Sequence, residues 1–245
     1  MVLDKRDILD RKDRVLGATI AEYIHTVTPV SSSLIVEKYF NEFSSATIRN
    51  VLNELEQEGY LMHPHTSAGR VPTQKGYRYY VDFLMDQIEL LEAEKKRIKT
   101  EYERQSKELE ALLDKTSYML SEITHYTSLI SIDGCENKLY CRGTNFVVSY
   151  PEMPDLSKIQ SILEALEEKE RLLDFINRDL QKKIDIYIGH EIALSQINSC
   201  SMVVSRYRTS RGPTGRIAVL GPTRMNYERV ISTLSYITDL IEEIY

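Results

Sequence analysis

The chain has 245 residues, 42% apolar and 28% charged, with a formal net charge of −6, a length that suits one large core or two smaller ones. It contains no run of about 18 apolar residues, and its N-terminus is charged at Asp4, Lys5, Arg6 and Asp7. A membrane span and an export signal are therefore not expected, and the cytoplasm is the expected compartment.

From Asp10 to Val27, the residues Leu16, Ile20, Tyr23, Ile24 and Val27 follow the spacing of one helical face. Thr28-Pro29 ends that helix, because proline disfavours helical geometry in the residue before it. Ser31 or Ser32 can cap a short second helix through Leu34, Ile35 and Tyr39, and a turn follows around Asn41. Ser44 supplies the N-cap of a third helix, in which Ile48, Val51, Leu52 and Leu55 form one stripe before Gly59. Two short apolar stretches then flank His63 to Thr73, a segment with two prolines and a glycine that reads as a small β-hairpin. Thr73 caps the next helix, which carries Tyr77, Tyr80, Val81 and Leu84. Three short helices and a hairpin in this order predict a winged helix-turn-helix over 1–83.

Steps of four and three from Leu84 pass through Ile88, Leu91, Lys95, Ile98, Tyr102, Gln105, Leu109, Leu112, Thr116 and Met119 to Ile123. Most of these positions are apolar, which predicts a long linker helix over 84–126 with a candidate coiled-coil seam for dimerisation. Its alternative is a helix packed against its own chain. Beyond Thr127 come strand-like runs at Leu129 to Ile132, Lys138 to Tyr150, Ile184 to Ile188 and Ser201 to Tyr207. A helix is expected from Asp155 to about Arg178, a hairpin loop at Arg211 to Gly215 leading into Ile217 to Leu220, and a last helix from Tyr227 to Ile244. The fold class is α+β, with 127–245 as a separate α+β domain.

The negative net charge opposes nucleic-acid binding when averaged over the chain. Between Gly59 and Val81, however, there is no Asp or Glu, while His63, His65, Arg70, Lys75 and Arg78 all fall inside that stretch. On the third helix the apolar stripe leaves Ala46, Arg49, Asn50 and Asn53 facing outward, with Ser45 and Thr47 beside them. Arginine can donate two hydrogen bonds to guanine, asparagine can pair with adenine, and alanine can pack on the thymine methyl. The expected interface has Ala46, Arg49 and Asn50 on bases, and Ser45, Thr47, His65, Thr66, Ser67, Arg70, Lys75 and Arg78 on phosphates. A polar solvated helix face and an exposed loop are the bland alternatives.

Enzymatic chemistry has little support. There is no glycine-rich phosphate loop, no Gly-x-Ser-x-Gly elbow and no His-Glu-x-x-His helix, and Gly189-His190-Glu191 lacks a second histidine. Glu164, Glu167, Glu168 and Glu170 sit in a helical surface pattern. His63-Pro64-His65 has no cysteine or carboxylate at ligand spacing, and Cys135, Cys141 and Cys200 are too few and too irregular for a disulfide framework or zinc. No enzyme, cofactor or metal is expected.

The strings Pro29-Val30-Ser31-Ser32, Ser44-Ser45-Ala46-Thr47-Ile48-Arg49-Asn50, Gly59-Tyr60-Leu61 and Pro64-His65-Thr66-Ser67-Ala68-Gly69-Arg70-Val71-Pro72-Thr73 resemble the HrcA family of bacterial heat-inducible transcription repressors. So do Gly76-Tyr77-Arg78, Gly143, Pro151-Glu152, Ile188-Gly189, Glu191 and Gly221-Pro222-Thr223-Arg224-Met225-Asn226-Tyr227, the latter set resembling the family's GAF-like domain. The resemblance implies a repressor of chaperone operons that binds an inverted-repeat operator, CIRCE, as a homodimer, with a GroEL-type chaperonin as partner. Typical members carry a longer central region with an inserted dimerisation domain, whereas this chain runs from Ser128 to Gly143 in a few residues. It therefore resembles a shortened member with a reduced GAF-like domain, in which the heptads from Leu84 to Ile123 are the candidate replacement contact. A regulator gated by a small ligand in the C-terminal half is the alternative function.

Overall fold

The computed structural model describes residues 5–64, 69–85, 90, 92–103, 109–134, 138–149, 156–178, 180–209 and 213–244. The chain divides into two compact units, Met1–Asp86 and Gln87–Tyr245.

In the first unit, α1 (Lys5–Thr26) buries Val15, Leu16, Thr19 and Ile20. Its end falls ahead of Pro29, where Val27 takes a positive φ of 55°. Helix α2 (Ser32–Tyr39) is capped by Ser31, whose hydroxyl accepts the Leu34 amide at 3.2 Å. Helix α3 (Ser45–Gln57) is capped in the same way by Ser44, which accepts the Thr47 amide at 3.1 Å. Its stripe of Ile48, Val51, Leu52 and Leu55 is buried, and each such side chain contributes about 1.5–3 kcal/mol. Gly59, with φ at 79°, turns the chain out of α3 into an antiparallel ribbon of β1 (Leu61–Met62) and β2 (Val71–Pro72). Thr73 caps α4 (Gln74–Tyr79), which widens into a π-helical turn over Tyr80–Leu84.

Glu22 is a carboxylate in this core, only 3% exposed. It accepts hydrogen bonds from Lys38 Nζ at 2.7 Å and Tyr39 Oη at 3.0 Å, which tie α1 to α2. The Lys38 bond, helped by Tyr39, outweighs burial and holds this carboxyl below the usual glutamate range. A carboxyl with a lowered folded pKa adds stability that is complete above its unfolded pKa and disappears as the pH falls through the folded one. Urea melts between about pH 7 and about pH 3 should therefore show a steeper acid loss for the natural chain than for Glu22→Gln. Parallel pH profiles would contradict this role.

In the second unit, α5 (Glu92–Glu103) and α6 (Leu109–Thr124) precede β3 (Thr127–Ile132) and β4 (Leu139–Arg142). Then come α7 (Leu156–Glu167), α8 (Lys169–Ile176), β5 (Ile184–Ile188), β6 (Cys200–Arg208), β7 (Thr214–Pro222) and α9 (Tyr227–Ile244). The sheet order is β4-β3-β7-β6-β5, and every neighbouring pair is antiparallel. Alternate residues face opposite ways. Leu129, Met202, Val204, Ala218 and Leu220 meet Ile162, Leu166, Leu172, Phe175 and Ile176 of α7 and α8 on one side. On the other side α6 and α9 pack, with Ser201 bonded to Tyr227 and Thr238 to Ser205.

Four sequence expectations change here. The seam positions Leu112, Thr116, Met119 and Ile123 are all at most 7% exposed and lie on α6, which packs on β3, β4 and α9 of its own unit. A heptad stripe states that a face must be covered, not by what, and at these four positions the same chain covers it, while Ile88, Leu91 and Gln105 lie outside the described residues. Nor does a helix start at Leu84, because Met85 is extended at φ −75°, ψ 128°. The strand expected from Lys138 to Tyr150 stops at Arg142, since Gly143 adopts a φ of 80° and a 3-10 turn follows over Thr144–Ser149. The helix expected from Asp155 to Arg178 is α7 and α8, separated at Glu168, whose ψ is 63°. The tip of the expected loop, Arg211-Gly212, lies outside the described residues.

Candidate nucleic-acid interface

Helix α3 holds its outer face by burying its inner one. Ala46, Arg49 and Asn50 are exposed, and neither Arg49 nor Asn50 bonds another side chain among the described residues. Their donor and acceptor groups are available to an external partner. The flanking hydroxyls are engaged instead. Ser45 Oγ lies 3.0 Å from Ser32 Oγ, fastening the start of α3 to the start of α2, and Thr47 Oγ1 lies 2.9 Å from Ser44 Oγ.

Arg70 corrects the expectation of a phosphate grip. Its residue is 9% exposed, and its backbone pairs with Val30 through bonds of 2.9 and 2.8 Å. The guanidinium turns against α3, with Nη2 2.9 Å from Glu56 Oε2 and 2.5 Å from Asn53 Oδ1, while Nη1 meets His63 Nε2. His63 Nδ1 in turn lies 2.6 Å from Glu56 Oε1. A guanidinium only donates, so His63 accepts from it at Nε2 and donates its Nδ1 proton to Glu56. Arg70 therefore anchors the ribbon to α3, and Asn53 serves that anchor rather than the outer face. Gly69 completes the fastening, because a Cβ there would stand 2.4 Å from the Val30 carbonyl oxygen.

Lys75 and Arg78 are likewise occupied. Lys75 Nζ donates to the Glu58 carbonyl at 2.7 Å and sits 4.3 Å from the centre of the Tyr60 ring, covering the negative C-terminal end of α3. Glu58 lies about 13 Å along the helix axis from Arg49, so Lys75 does not gather beside the outer face. Arg78 Nη1 bonds Asp82 Oδ1 at 3.1 Å. His65, Thr66 and Ser67 lie outside the described residues. The sequence placed His63 only in a basic stretch and gave Glu56 no role, although helical spacing puts Glu56 on the same side as Asn53.

Among the described residues no group of three or more His, Cys, Asp or Glu side chains could hold a metal ion. Burial pushes the Cys141 thiol up to about 11, so it stays protonated near neutral pH. No helix among the described residues is long and apolar enough to cross a membrane.

These features define a two-unit α+β protein that offers a polar helix face beside a fastened ribbon. Residues 87–231 match the family model described as the HrcA protein C terminal domain. The heat-inducible transcription repressor HrcA of Symbiobacterium thermophilum is 29% identical to the chain, covering 96% of this chain and 98% of that protein. Its counterpart from Pelotomaculum thermopropionicum is 28% identical, covering 96% of each. The first alignment runs over 333 positions against a chain of 245 residues, so a substantial part of the relative has no counterpart here. A crystal structure described as that of a hypothetical protein superposes with a TM-score of 0.75 at 21% identity, covering 96% of this chain and 97% of that one, and shares the fold. The chain belongs to the HrcA family of heat-inducible transcription repressors.

Proposed function

We propose that this protein is a cytoplasmic repressor of chaperone operons that binds an inverted-repeat operator of the CIRCE type as a homodimer. Residues 1–83 act as a winged helix-turn-helix, with α3 in the major groove and the β1–β2 ribbon as the wing. Residues 84–126 connect it to 127–245, a reduced GAF-like domain, and a GroEL-type chaperonin is its protein partner. The observation that carries the reading is the exposed pair Arg49 and Asn50 beside Ala46, neither bonded to another side chain among the described residues, on a helix whose Ile48, Val51, Leu52 and Leu55 are buried. An inverted repeat calls for a two-fold dimer, each reading helix taking one half-site. Because the α6 stripe is covered within its own chain, the dimer forms through another surface.

Selection of bound sequences from random duplex DNA tests this directly. The expected result is enrichment of an inverted repeat bound by two chains. No enrichment over unselected DNA would overturn the proposal.

A further inference from the structure

At one edge of the sheet in the second unit, β6 outruns its neighbour. The β5 register ends at Ile184↔Ser205, while β6 continues along β7 through Arg206↔Arg216 to Arg208↔Thr214. Cross-strand partners share a face, and so do residues two apart. Arg206, Arg208 and Arg216 therefore project from the same face at the end of the sheet. Arg216 is 3% exposed, its Nη1 is 3.4 Å from Asp133 Oδ2, and among the described residues its Nε has no hydrogen-bond partner. Arg206 and Arg208 are exposed, and among the described residues no carboxylate pairs with them or with Lys182.

A cleft of about 580 Å³ opens at this edge, lined by Lys182, Lys183, Arg206 and Arg208, with Glu242 as the acid in its wall. Lys183 is held by Asp239 at 2.5 Å. The concentration of cations stands out in a chain whose net charge is −6. Arg216 is answered by Asp133, whereas Arg206 and Arg208 line the cleft with no carboxylate paired to them among the described residues, and a bound anion would meet that charge. Guanidinium forks match phosphate oxygens in pairs. Two forks about 7 Å apart along one strand suit linked phosphate groups better than a single one. The volume fits a small molecule.

We infer that this cleft binds a small anion carrying two or more linked phosphates, either as an inorganic chain or as a nucleotide. The site lies wholly in the second unit and does not depend on the DNA-binding reading.

Isothermal titration calorimetry on the full chain, with tripolyphosphate, ATP and adenosine at constant ionic strength, tests the assignment. Tripolyphosphate should bind, and the double variant Arg206→Gln/Arg208→Gln should weaken it about tenfold or more. Arg171→Gln, on the surface of α8, should leave it unchanged. Equal affinity for ATP and tripolyphosphate would identify the phosphate chain as the recognised group, whereas tighter ATP binding would identify a nucleotide. Adenosine alone should give no heat. Absence of tripolyphosphate binding, or binding indifferent to the double variant, would overturn the inference. So would a double variant that loses duplex DNA affinity but keeps tripolyphosphate.

Discussion

Arg70→Ala is expected to destabilise the N-terminal unit by about 2–4 kcal/mol and to weaken binding to every DNA sequence alike. Removing one partner of a fully buried ion pair costs about 3–5 kcal/mol. The effect is smaller here because Glu56, left behind, keeps 31% of its side chain in water. Asn53 and His63 lose their donor in the same step, and the ribbon loses its side-chain hold on α3. Arg70→Lys keeps the charge but cannot fork across Glu56 and Asn53, so it should restore only part of the stability. Urea unfolding followed by gel shift separates two roles. If Arg70→Ala is as stable as the natural chain and only lowers the salt dependence of binding, Arg70 contacts a phosphate and the anchor is wrong.

Gly69→Ala should cost about 3 kcal/mol for a different reason. The new Cβ would meet Val30 O at 2.4 Å, Val30 C at 2.5 Å and Pro29 C at 2.8 Å, all of them backbone atoms. No side chain can swing aside, so the chain must yield, and overpacking of this kind costs about 1–3 kcal/mol or more. What yields is the Val30–Arg70 bridge, whose two hydrogen bonds each contribute about 0.5–1.5 kcal/mol. Because Gly69 and Arg70 secure the same strap, the double variant should lose less than the sum of the two single losses. A double-mutant cycle by urea unfolding checks this, and simple additivity would show that the two fastenings act independently.

What could be read from the sequence was local. Ser31, Ser44 and Thr73 cap their helices as expected, because capping depends on the next three residues and on nothing distant. The outer face of α3 was legible for the same reason, since four buried positions fix where Arg49 and Asn50 point. Arg70 was not legible. Its partners Asn53, Glu56 and His63 come together only once the ribbon folds back on α3, and a basic, glycine-containing loop looks the same whether its arginine turns out or in. The α6 stripe was read as a face needing cover by a partner chain or by its own chain, and the second alternative holds there; periodicity does not say which surface meets it. The division of α7 from α8 carried no glycine or proline signal. An unbroken helix would extend the stripe of Ile162, Ala165 and Leu166 to Lys169, and the bend at Glu168 leaves Lys169 exposed instead.

In the proposed complex α3 reads bases with Arg49 while Arg70 holds the ribbon. Selection from random duplex DNA, run in parallel on the natural chain and on Arg49→Ala, tests it most directly. The natural chain should recover an inverted repeat. Arg49→Ala should recover the same repeat with preference lost at one position in each half-site and affinity reduced by about 1–3 kcal/mol per half-site. An unchanged base preference in Arg49→Ala would show that Arg49 does not read a base.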